Sequence, residues 1–480
     1  MAARKKTKAG DPSIGTCDIC IENRTFDEIA IGDTASLTRK LTRRDIELFA
    51  VMSGDVNPAH VDPEYAKSDM FHKIIAHGMW GGALISTVLG TELPGPGTIY
   101  LDQTFKFTRP VTLGDTVTVT VTAREKEEKH HHVRFDCKCT NQNGKVVIDG
   151  SALVIAPTEK IRRHRIELPE VRLEERGAKF RSMIAMAESL EPIMTAVVHP
   201  VDANSLGGAV MAAKANLITP ILIGPEYKIR ATAEEAGIDI TPYRLEPVEH
   251  SDAAAARAVV MARKGEVGAL MKGSLHTDEF MHPVVQHDTG LHTERRLSHV
   301  FVLDVPTLDR PLFVTDGAIN IYPDLVDKRD IVQNAIDLAH ALSIAAPKVA
   351  ILSAVEFVEP RIKSTIEAAA ICKMANRNQI KGGIVDGPLA FDNAISEEAA
   401  RAKGIDSAVA GHADILVVPD LESGNMLGKQ LEYLADAEAA GIVVGARLPL
   451  ILTSRADSVQ SRLASCAVAA LLHQHQQKDA

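Results

Sequence analysis

The sequence lacks the features that mark several large protein classes. No apolar run reaches the length of a transmembrane helix without a charge, glycine or proline interrupting it. The formal net charge is −10 and no basic stripe dominates any segment. Neither a G-x-G-x-x-G nor a Walker A pattern occurs, so NAD and nucleoside triphosphate chemistry have no support. We therefore expect a protein that binds neither membranes nor nucleic acids.

Cysteine is scarce as well. Six cysteines in 480 residues do not form the framework of a disulfide-rich secreted protein. A zinc site built from Cys17, Cys20, Cys137 and Cys139 would need four converging thiolates, so reduced cysteines without a metal are the default. No apolar signal core follows the basic start of the chain. These features predict a cytoplasmic protein with a disordered tail over residues 1–15.

The length and a change in composition predict two domains. A chain of 480 residues exceeds one ordinary domain. Residues 158–175 are dense in charge and flanked by proline, which is typical of a linker. We expect one domain over residues 16–157 and a second over residues 176–480.

One short stretch of the first domain carries acid–base chemistry. Residues 53–60 read Ser-Gly-Asp-Val-Asn-Pro-Ala-His, a turn-rich segment that places Asp55 near His60. A carboxylate and an imidazole can position and deprotonate a water. Gly78 then opens an apolar run typical of a buried helix, where unpaired N–H groups favour developing negative charge. The pattern predicts a water activator and an oxyanion site close together.

The rest of the first domain predicts an antiparallel sheet after that helix. Thr42 and Asp45 form a capping-box pattern ahead of a short helix. Apolar residues then alternate with polar ones, and Asn143-Gly144 indicates a hairpin. The expected strands cover residues 98–107, 116–122, 133–140 and 145–155. Successive strand residues point to opposite faces, so the three histidines at 130–132 are not expected to converge on a metal.

The second domain alternates helical stretches with short β-branched runs, which predicts a parallel α/β sheet. Ligands of such sheets bind at the carboxyl ends of the strands. Lys272, Asp386 and the Ser454-Arg455 pair follow such runs, and an arginine beside a serine suits phosphate oxygens. The expected strands cover residues 195–199, 221–224, 268–273, 349–353, 383–387 and 415–420.

Residues 49–62, Phe-Ala-Val-Met-Ser-Gly-Asp-Val-Asn-Pro-Ala-His-Val-Asp, resemble the hydratase motif of the MaoC-like, (R)-specific enoyl-CoA hydratases. The resemblance covers about residues 17–157 and implies the hot-dog fold, a long helix gripped by a curved antiparallel sheet. It implies Asp55 and His60 as catalytic residues and the Gly78 N–H as the oxyanion donor. Asn57 and His77 are the expected substrate-binding residues.

Residues from about 176 to 475 resemble the phosphate acetyl/butyryltransferase family in several dispersed motifs, among them residues 296–300, 386–392, 419–425 and 453–457. The resemblance implies a two-subdomain α/β fold that exchanges an acyl group between CoA and phosphate without a metal or a bound cofactor. It implies Ser454 and Arg455 as catalytic residues. The expected substrate-binding residues are Lys272, Thr277, His282, Asp386, Gly424 and Asn425.

Two positions depart from the second family's pattern. Acetyl-transferring members carry an aspartate seven residues after the motif serine, where this chain has Ser461. The family places an arginine where this chain has His282. A phosphate site without that arginine binds weakly at neutral pH unless the histidine is charged.

Together these features predict a bifunctional enzyme: a hot-dog hydratase (α+β) followed by an α/β phosphate acyltransferase. Its expected partners are enoyl-CoA, acyl-CoA and phosphate or acyl phosphate, and we expect a homo-oligomer of two or more chains. One alternative is a thioesterase, which shares the hot-dog fold but lacks the motif at residues 53–60. The other is a hydratase whose second domain is a non-catalytic, CoA-binding regulatory or assembly module.

Overall fold

The computed structural model describes residues 20–479, apart from 167, 170, 172, 174, 175 and 454–456. Ser454, Arg455 and Cys17 lie outside the described residues. The chain divides into two compact units, Met1–Leu173 and Glu174–Ala480. Among the described residues, no helix combines the length and apolarity that a membrane crossing requires.

The first unit contains four helices and seven strands within its described residues, numbered here in chain order. The helices are α1 (Arg43–Ser53), α2 (Pro58–Val61), α3 (Pro63–Ser68) and α4 (Gly78–Thr91). The strands are β1 (Cys20–Glu22), β2 (Thr34–Lys40), β3 (Ile99–Phe107), β4 (Thr116–Glu127), β5 (His132–Asn141), β6 (Val146–Ile155) and β7 (Arg162–His164). Short 3-10 turns cover Phe26–Glu28 and Glu128–His130.

An antiparallel sheet packs around α4 in this unit. Its order is β2-β4-β5-β6-β3 within the described chain, which confirms the predicted meander and its hairpin at Asn143-Gly144. Helix α4 buries Trp80, Ile85 and Leu89 against the sheet. Burying a large apolar side chain contributes about 1.5–3 kcal/mol, so this helix anchors the unit's core. The arrangement is the predicted hot-dog fold.

The start of the predicted linker belongs to the first unit. Strand β7 pairs antiparallel with β1 from the other end of the unit. Beside this pair, Lys160 forms ion pairs with Glu22 at 3.2 Å and Glu28 at 2.8 Å. The charges that suggest a linker in the sequence therefore hold this segment in place up to about residue 164.

The cysteines and the histidine triplet occupy different environments. Cys137 and Cys139 are buried on β5, and burial raises the pKa of both thiols to about 12.

His130 and His132 both donate through Nδ1 to Glu127, at 2.9 and 3.0 Å. His131, with φ +53°, packs edge-on against Phe26, with ring centroids 5.2 Å apart. The three histidines do not converge, as expected, but two of them share one carboxylate.

The second unit contains eleven helices and eleven strands within its described residues. The helices are α5 (Ala178–Glu188), α6 (Ala203–Lys214), α7 (Glu226–Ala236), α8 (Ser251–Arg263), α9 (Thr277–Val284), α10 (Leu325–Ala341), α11 (Lys363–Asn376), α12 (Phe391–Ile395), α13 (Glu397–Ala402), α14 (Leu421–Leu434) and α15 (Val459–Asp479). The strands are β8 (Ile193–Val198), β9 (Ile218–Gly224), β10 (Arg244–Pro247), β11 (Ala269–Lys272), β12 (Ser298–Asp304), β13 (Leu312–Thr315), β14 (Lys348–Leu352), β15 (Ile384–Leu389), β16 (Ile415–Val417), β17 (Glu438–Val444) and β18 (Leu450–Ile451).

These strands form one sheet, and it is mixed rather than wholly parallel. The order is β10-β9-β8-β11-β18-β17-β12-β13-β16-β14-β15 within the described residues. Strand β12 runs antiparallel to β13 and β17, and β17 runs antiparallel to β18. Only short segments join β12 to β13 and β17 to β18, and a parallel crossover needs a dozen or more residues. The two halves of the sheet therefore run in opposite directions, and the predicted two subdomains share this one sheet.

Candidate active sites

Two caps build the turn that carries the acid and the imidazole in the first unit. Helix α1 starts at the Thr42–Asp45 capping box and ends at Gly54, whose φ of +74° favours glycine. The side chain of Asn57 then accepts from the N–H of Ala59 at 3.2 Å and caps α2. This turn sets the short helix from which His60 projects. The structure thus gives Asn57 a capping role, and Asn57 does not line the cavity described below.

Backbone carbonyls fix the protons of two neighbouring histidines. His60 Nδ1–H donates to the carbonyl of Ile75 at 3.0 Å. His77 Nε2–H donates to the carbonyl of Asp55, also at 3.0 Å. Because a carbonyl oxygen only accepts, His60 keeps a lone pair on Nε2 with which it can take a proton. The two ring centroids lie 4.0 Å apart, and Phe49 stacks on His77 with centroids 4.9 Å apart.

The Asp55 carboxylate belongs to the same group. Ligand atoms of Asp55, His60 and His77 all lie within 4.8 Å of one another, close enough for one metal ion or one ordered water. The Asp55 carboxylate also accepts from the N–H of Asn57 at 3.2 Å. The structure therefore brings together the predicted acid, the predicted base and His77, the buried residue that the sequence analysis expects to bind substrate.

A cavity of about 360 Å³ opens beside these residues. His60, His77 and Gly78 lie in its lining, and most of the other lining residues are apolar. Such a cavity suits an acyl chain whose thioester reaches the polar end. The apolar part of the lining includes Phe71, Ile75, Trp80, Phe107, Val111 and Ile148.

Helix α4 points its N-terminus at this cavity. His77 is the N-cap and Gly78 the first helical residue. The first N–H groups of a helix have no partner within the helix and attract negative charge. The helix lies close to the sheet at Gly82, where an added Cβ would stand only 2.9 Å from Phe105 Cζ, so the absence of a side chain allows this approach. The Gly78 N–H is thus placed for the predicted oxyanion contact.

In the second unit, a cavity of about 390 Å³ lies where the two halves of the sheet meet. Lys272 at the end of β11 and Thr453 after β18 come from one half. Ala318 after β13 and Asn425 on α14 come from the other. Thr277, at the start of α9, completes the predicted residues in the lining.

Thr453 is held from two sides, which positions the segment that follows it. Lys272 Nζ donates to the Thr453 carbonyl at 3.5 Å, and Arg462 Nη1 donates to its hydroxyl at 3.0 Å. Lys272 and Arg462 are 5 % and 3 % exposed. Asp457, on the far side of residues 454–456, also lines the cavity. Both flanks of the predicted Ser454-Arg455 site therefore border this cavity.

The loop after β13 is fixed by a buried carboxylate. Asp316 accepts from the backbone N–H groups of Ala318, Ile319 and Asn320, and burial raises its pKa despite these bonds. Helix α14 packs against this loop, since a Cβ on Gly424 would stand 2.5 Å from the Asp316 carbonyl oxygen. The lack of a side chain at Gly424 thus allows this close packing, and Gly424 does not line the cavity, whereas its neighbour Asn425 does.

Besides Gly424, two predicted binding residues, His282 and Asp386, do not line this cavity. His282 is exposed on α9 and contacts Gln286 at 3.2 Å. It lies five residues after Thr277, and helical residues turn by about 100° each, so the two point in different directions. Asp386 lies on the edge strand β15, four strand spacings or roughly 19 Å from β12.

Five titratable residues of the lining are not singled out by the sequence: His276, His299, Lys429, Glu432 and Asp457. His299 on β12 and Lys429 on α14 line the cavity, as does Asp457. Burial, followed by the charge of Lys429, lowers the pKa of His299 to about 3. His299 lies within the family motif at residues 296–300, but no spacing rule distinguishes a cavity histidine from a core histidine.

Ser461, at the departure from the family pattern, serves the start of α15. Its N–H donates to the Ser458 hydroxyl at 3.0 Å, and its carbonyl accepts from the Ser465 hydroxyl at 2.8 Å. It is 7 % exposed and does not line the cavity.

Comparisons with known proteins agree with this division. The family described as MaoC like domain matches residues 29–142, and the family described as Phosphate acetyl/butaryl transferase matches residues 248–470. The phosphate acetyltransferase of Rhizobium meliloti is 62% identical over 294 residues, which cover 61% of this chain and 93% of that protein.

Two solved structures are also similar. The unliganded R-hydratase from Pseudomonas aeruginosa is 45% identical and covers 32% of this chain and 99% of its own, with a TM-score of 0.31. A branched-chain phosphotransacylase from Enterococcus faecalis is 29% identical and covers 59% of this chain and 99% of its own, with a TM-score of 0.52.

Proposed function

Because the chain belongs to the phosphate acetyl/butyryltransferase family and carries a MaoC-like domain ahead of that part, we propose that it is a bifunctional acyl-CoA enzyme. The first unit hydrates 2-enoyl-CoA to (R)-3-hydroxyacyl-CoA. The second exchanges an acyl group between CoA and phosphate. The observation that carries the first activity is the His60 tautomer beside the Asp55 carboxylate. The second rests on 62% identity to a phosphate acetyltransferase.

Hydration follows from the atoms at the first cavity. The free lone pair on His60 Nε2 takes a proton from a water that Asp55 orients. The hydroxyl adds to C3 of the enoyl thioester, and the same centre returns a proton to C2. The Gly78 N–H stabilises the thioester oxygen as it gains charge; one such donor contributes about 3 kcal/mol. His77, which donates to the Asp55 backbone, holds this turn in place beside the substrate.

Acyl transfer is assigned to the cavity that Lys272, Thr277 and Asn425 line. Ser454 and Arg455 provide the phosphate and acyl contacts, since arginine offers a planar fork of donors that matches phosphate oxygens. The exposed position of His282 and the edge position of Asp386 do not support a role for either in binding. The proposed chemistry of both units needs no metal and no bound cofactor, because the protons move between substrates, water and side chains.

We also propose a cytoplasmic homo-oligomer of two or more chains. Four cysteines, namely Cys137, Cys139, Cys372 and Cys466, are free thiols, which suits a reducing compartment. Oligomerisation is supported by the edge strand β3, which exposes 56% of Ile99, 45% of Leu101 and 54% of Phe107. An exposed apolar edge strand is a surface that proteins ordinarily cover.

The test uses the purified full-length chain and two assays. Loss of the enoyl thioester's conjugated absorbance measures hydration, with chiral analysis of the product. Phosphate-dependent release of CoA from acetyl-CoA and butyryl-CoA measures transfer. We expect both activities. CoA release that is independent of phosphate indicates a thioesterase, and CoA binding without turnover indicates a regulatory module; either result overturns the corresponding half of the proposal.

A further inference from the structure

The cavity of the second unit contains a buried imidazole that makes no hydrogen bond to the described residues. His299 is 1 % exposed and lies in the cavity lining with Phe301 and Gly441. Its Nδ1 is buried and has no hydrogen-bond partner among the described residues. The ring packs edge-on against Phe301, with centroids 4.4 Å apart, and makes no polar side-chain contact in the described part of the chain.

Packing alone does not account for a histidine at this position. A neutral imidazole carries one N–H donor and one acceptor, and leaving such groups buried without partners destabilises the fold. A leucine or phenylalanine fills a similar space without that penalty, and Phe301 and Leu452 already do so nearby. Unsatisfied buried polar groups in native proteins call for an explanation, and a ligand in the cavity supplies the missing partner.

The orientation of the ring indicates which nitrogen meets the ligand. Nε2 of His299 lies beside Gly441, another residue of the cavity lining, since a Cβ on Gly441 would stand 3.1 Å from this nitrogen. Nδ1 is sealed from solvent. The proton is therefore expected on Nε2, where an acceptor can reach it.

The surroundings favour a neutral donor over a base. Burial first, and the charge of Lys429 second, disfavour the imidazolium form of His299. The lining also holds Lys272 and two carboxylates, Asp457 and Glu432, and Glu432 accepts from Lys429 at 2.6 Å. A base this weak removes protons poorly near neutral pH. Its N–H still donates, and donors aimed at a developing oxyanion are effective in a site without bulk water.

We propose that His299 is a catalytic residue whose Nε2–H donates a hydrogen bond to the acyl carbonyl oxygen during transfer. In the step, a phosphate oxygen attacks the acyl carbon, the C–S bond breaks, and the phosphate proton ends on the thiol of CoA. The carbonyl oxygen carries negative charge between attack and C–S cleavage, which is when the donor acts. This inference rests on the transferase function proposed above and adds a donor to those of Ser454 and Arg455.

The experiment compares His299→Leu, which removes the donor, with His299→Gln, which keeps an N–H, in the full-length chain. Phosphate-dependent CoA release from acetyl-CoA is measured, with kcat and KM determined separately. We expect His299→Leu to lower kcat by about 10²–10³-fold with little change in KM, as for loss of one oxyanion donor. His299→Gln is expected to recover at least tenfold of that loss.

A purely structural role predicts a different result, with both variants equally impaired. Equal impairment, or a kcat for His299→Leu within about threefold of wild type, overturns the inference while leaving the transferase function intact. Wild-type protein without phosphate-dependent release overturns the transferase function itself. CoA binding to the second unit checks folding; if His299→Leu fails this check, His299→Met replaces it under the same criteria.

Discussion

The close approach of α4 to the sheet leads to a paired prediction for two glycines of one helix. In Gly82→Ala the new Cβ meets Phe105 Cζ at 2.9 Å, whereas in Gly90→Ala it meets nothing within 4 Å. Both substitutions gain helix propensity of up to about 1 kcal/mol. Overpacking costs about 1–3 kcal/mol and applies only to Gly82→Ala. The two variants should therefore differ in stability by about 1–3 kcal/mol, with Gly90→Ala the more stable.

Trp80 makes this difference measurable in the full-length chain. It is the only tryptophan of the sequence and is buried on α4, so its fluorescence reports the first unit alone. For a unit of this size, 1 kcal/mol corresponds to about 2–4 °C in Tm. Gly82→Ala should also lower hydration kcat, because displacing α4 moves the Gly78 N–H. Equal Tm values for the two variants would show that α4 does not lie against Phe105.

Four further outcomes are expected. Asp55→Asn should lower hydration by about 10²–10⁴-fold without affecting acyl transfer, and near wild-type hydration would refute its role. Arg455→Ala should cost a few kcal/mol of transition-state stabilisation, measured from the kcat/KM of transfer. Arg455→Lys should recover only part of that loss because lysine cannot pair bidentately, and full recovery by lysine would contradict this. Gly424→Ala should impair transfer but not hydration, since its Cβ would clash with a backbone oxygen at 2.5 Å, and unchanged transfer would count against the packing of α14. Sedimentation at micromolar concentration should show a dimer or larger, and a monomer would refute the oligomer.

The first unit could be predicted from the sequence in most respects because its signals are local. The alternation of apolar and polar residues predicts the strands, and the Thr42–Asp45 capping box predicts the start of α1. The segment at residues 53–60 combines an acid, a turn and an imidazole in one short stretch. The role of Asn57 as a cap, and the tautomers of His60 and His77, depend on carbonyls that only the folded chain brings near.

The second unit was less predictable because its site depends on long-range topology. All six expected runs are strands, but β10, β12, β13, β17 and β18 fall outside them. Two short connections reverse the strand direction, so strand ends that look equivalent in the sequence lie at different places in the sheet. Asp386 was therefore expected in a site that it does not reach. His299 was not singled out because its burial and its unpartnered nitrogen are properties of the fold.

The central claim is that one chain carries two independent active sites. The most direct measurement determines hydration and phosphate-dependent transfer on the same preparations of wild type, His60→Ala and Arg455→Ala. The account predicts that wild type performs both reactions, that His60→Ala loses only hydration, and that Arg455→Ala loses only transfer. A wild-type protein that lacks one reaction, or a variant that loses both while remaining folded, would contradict it.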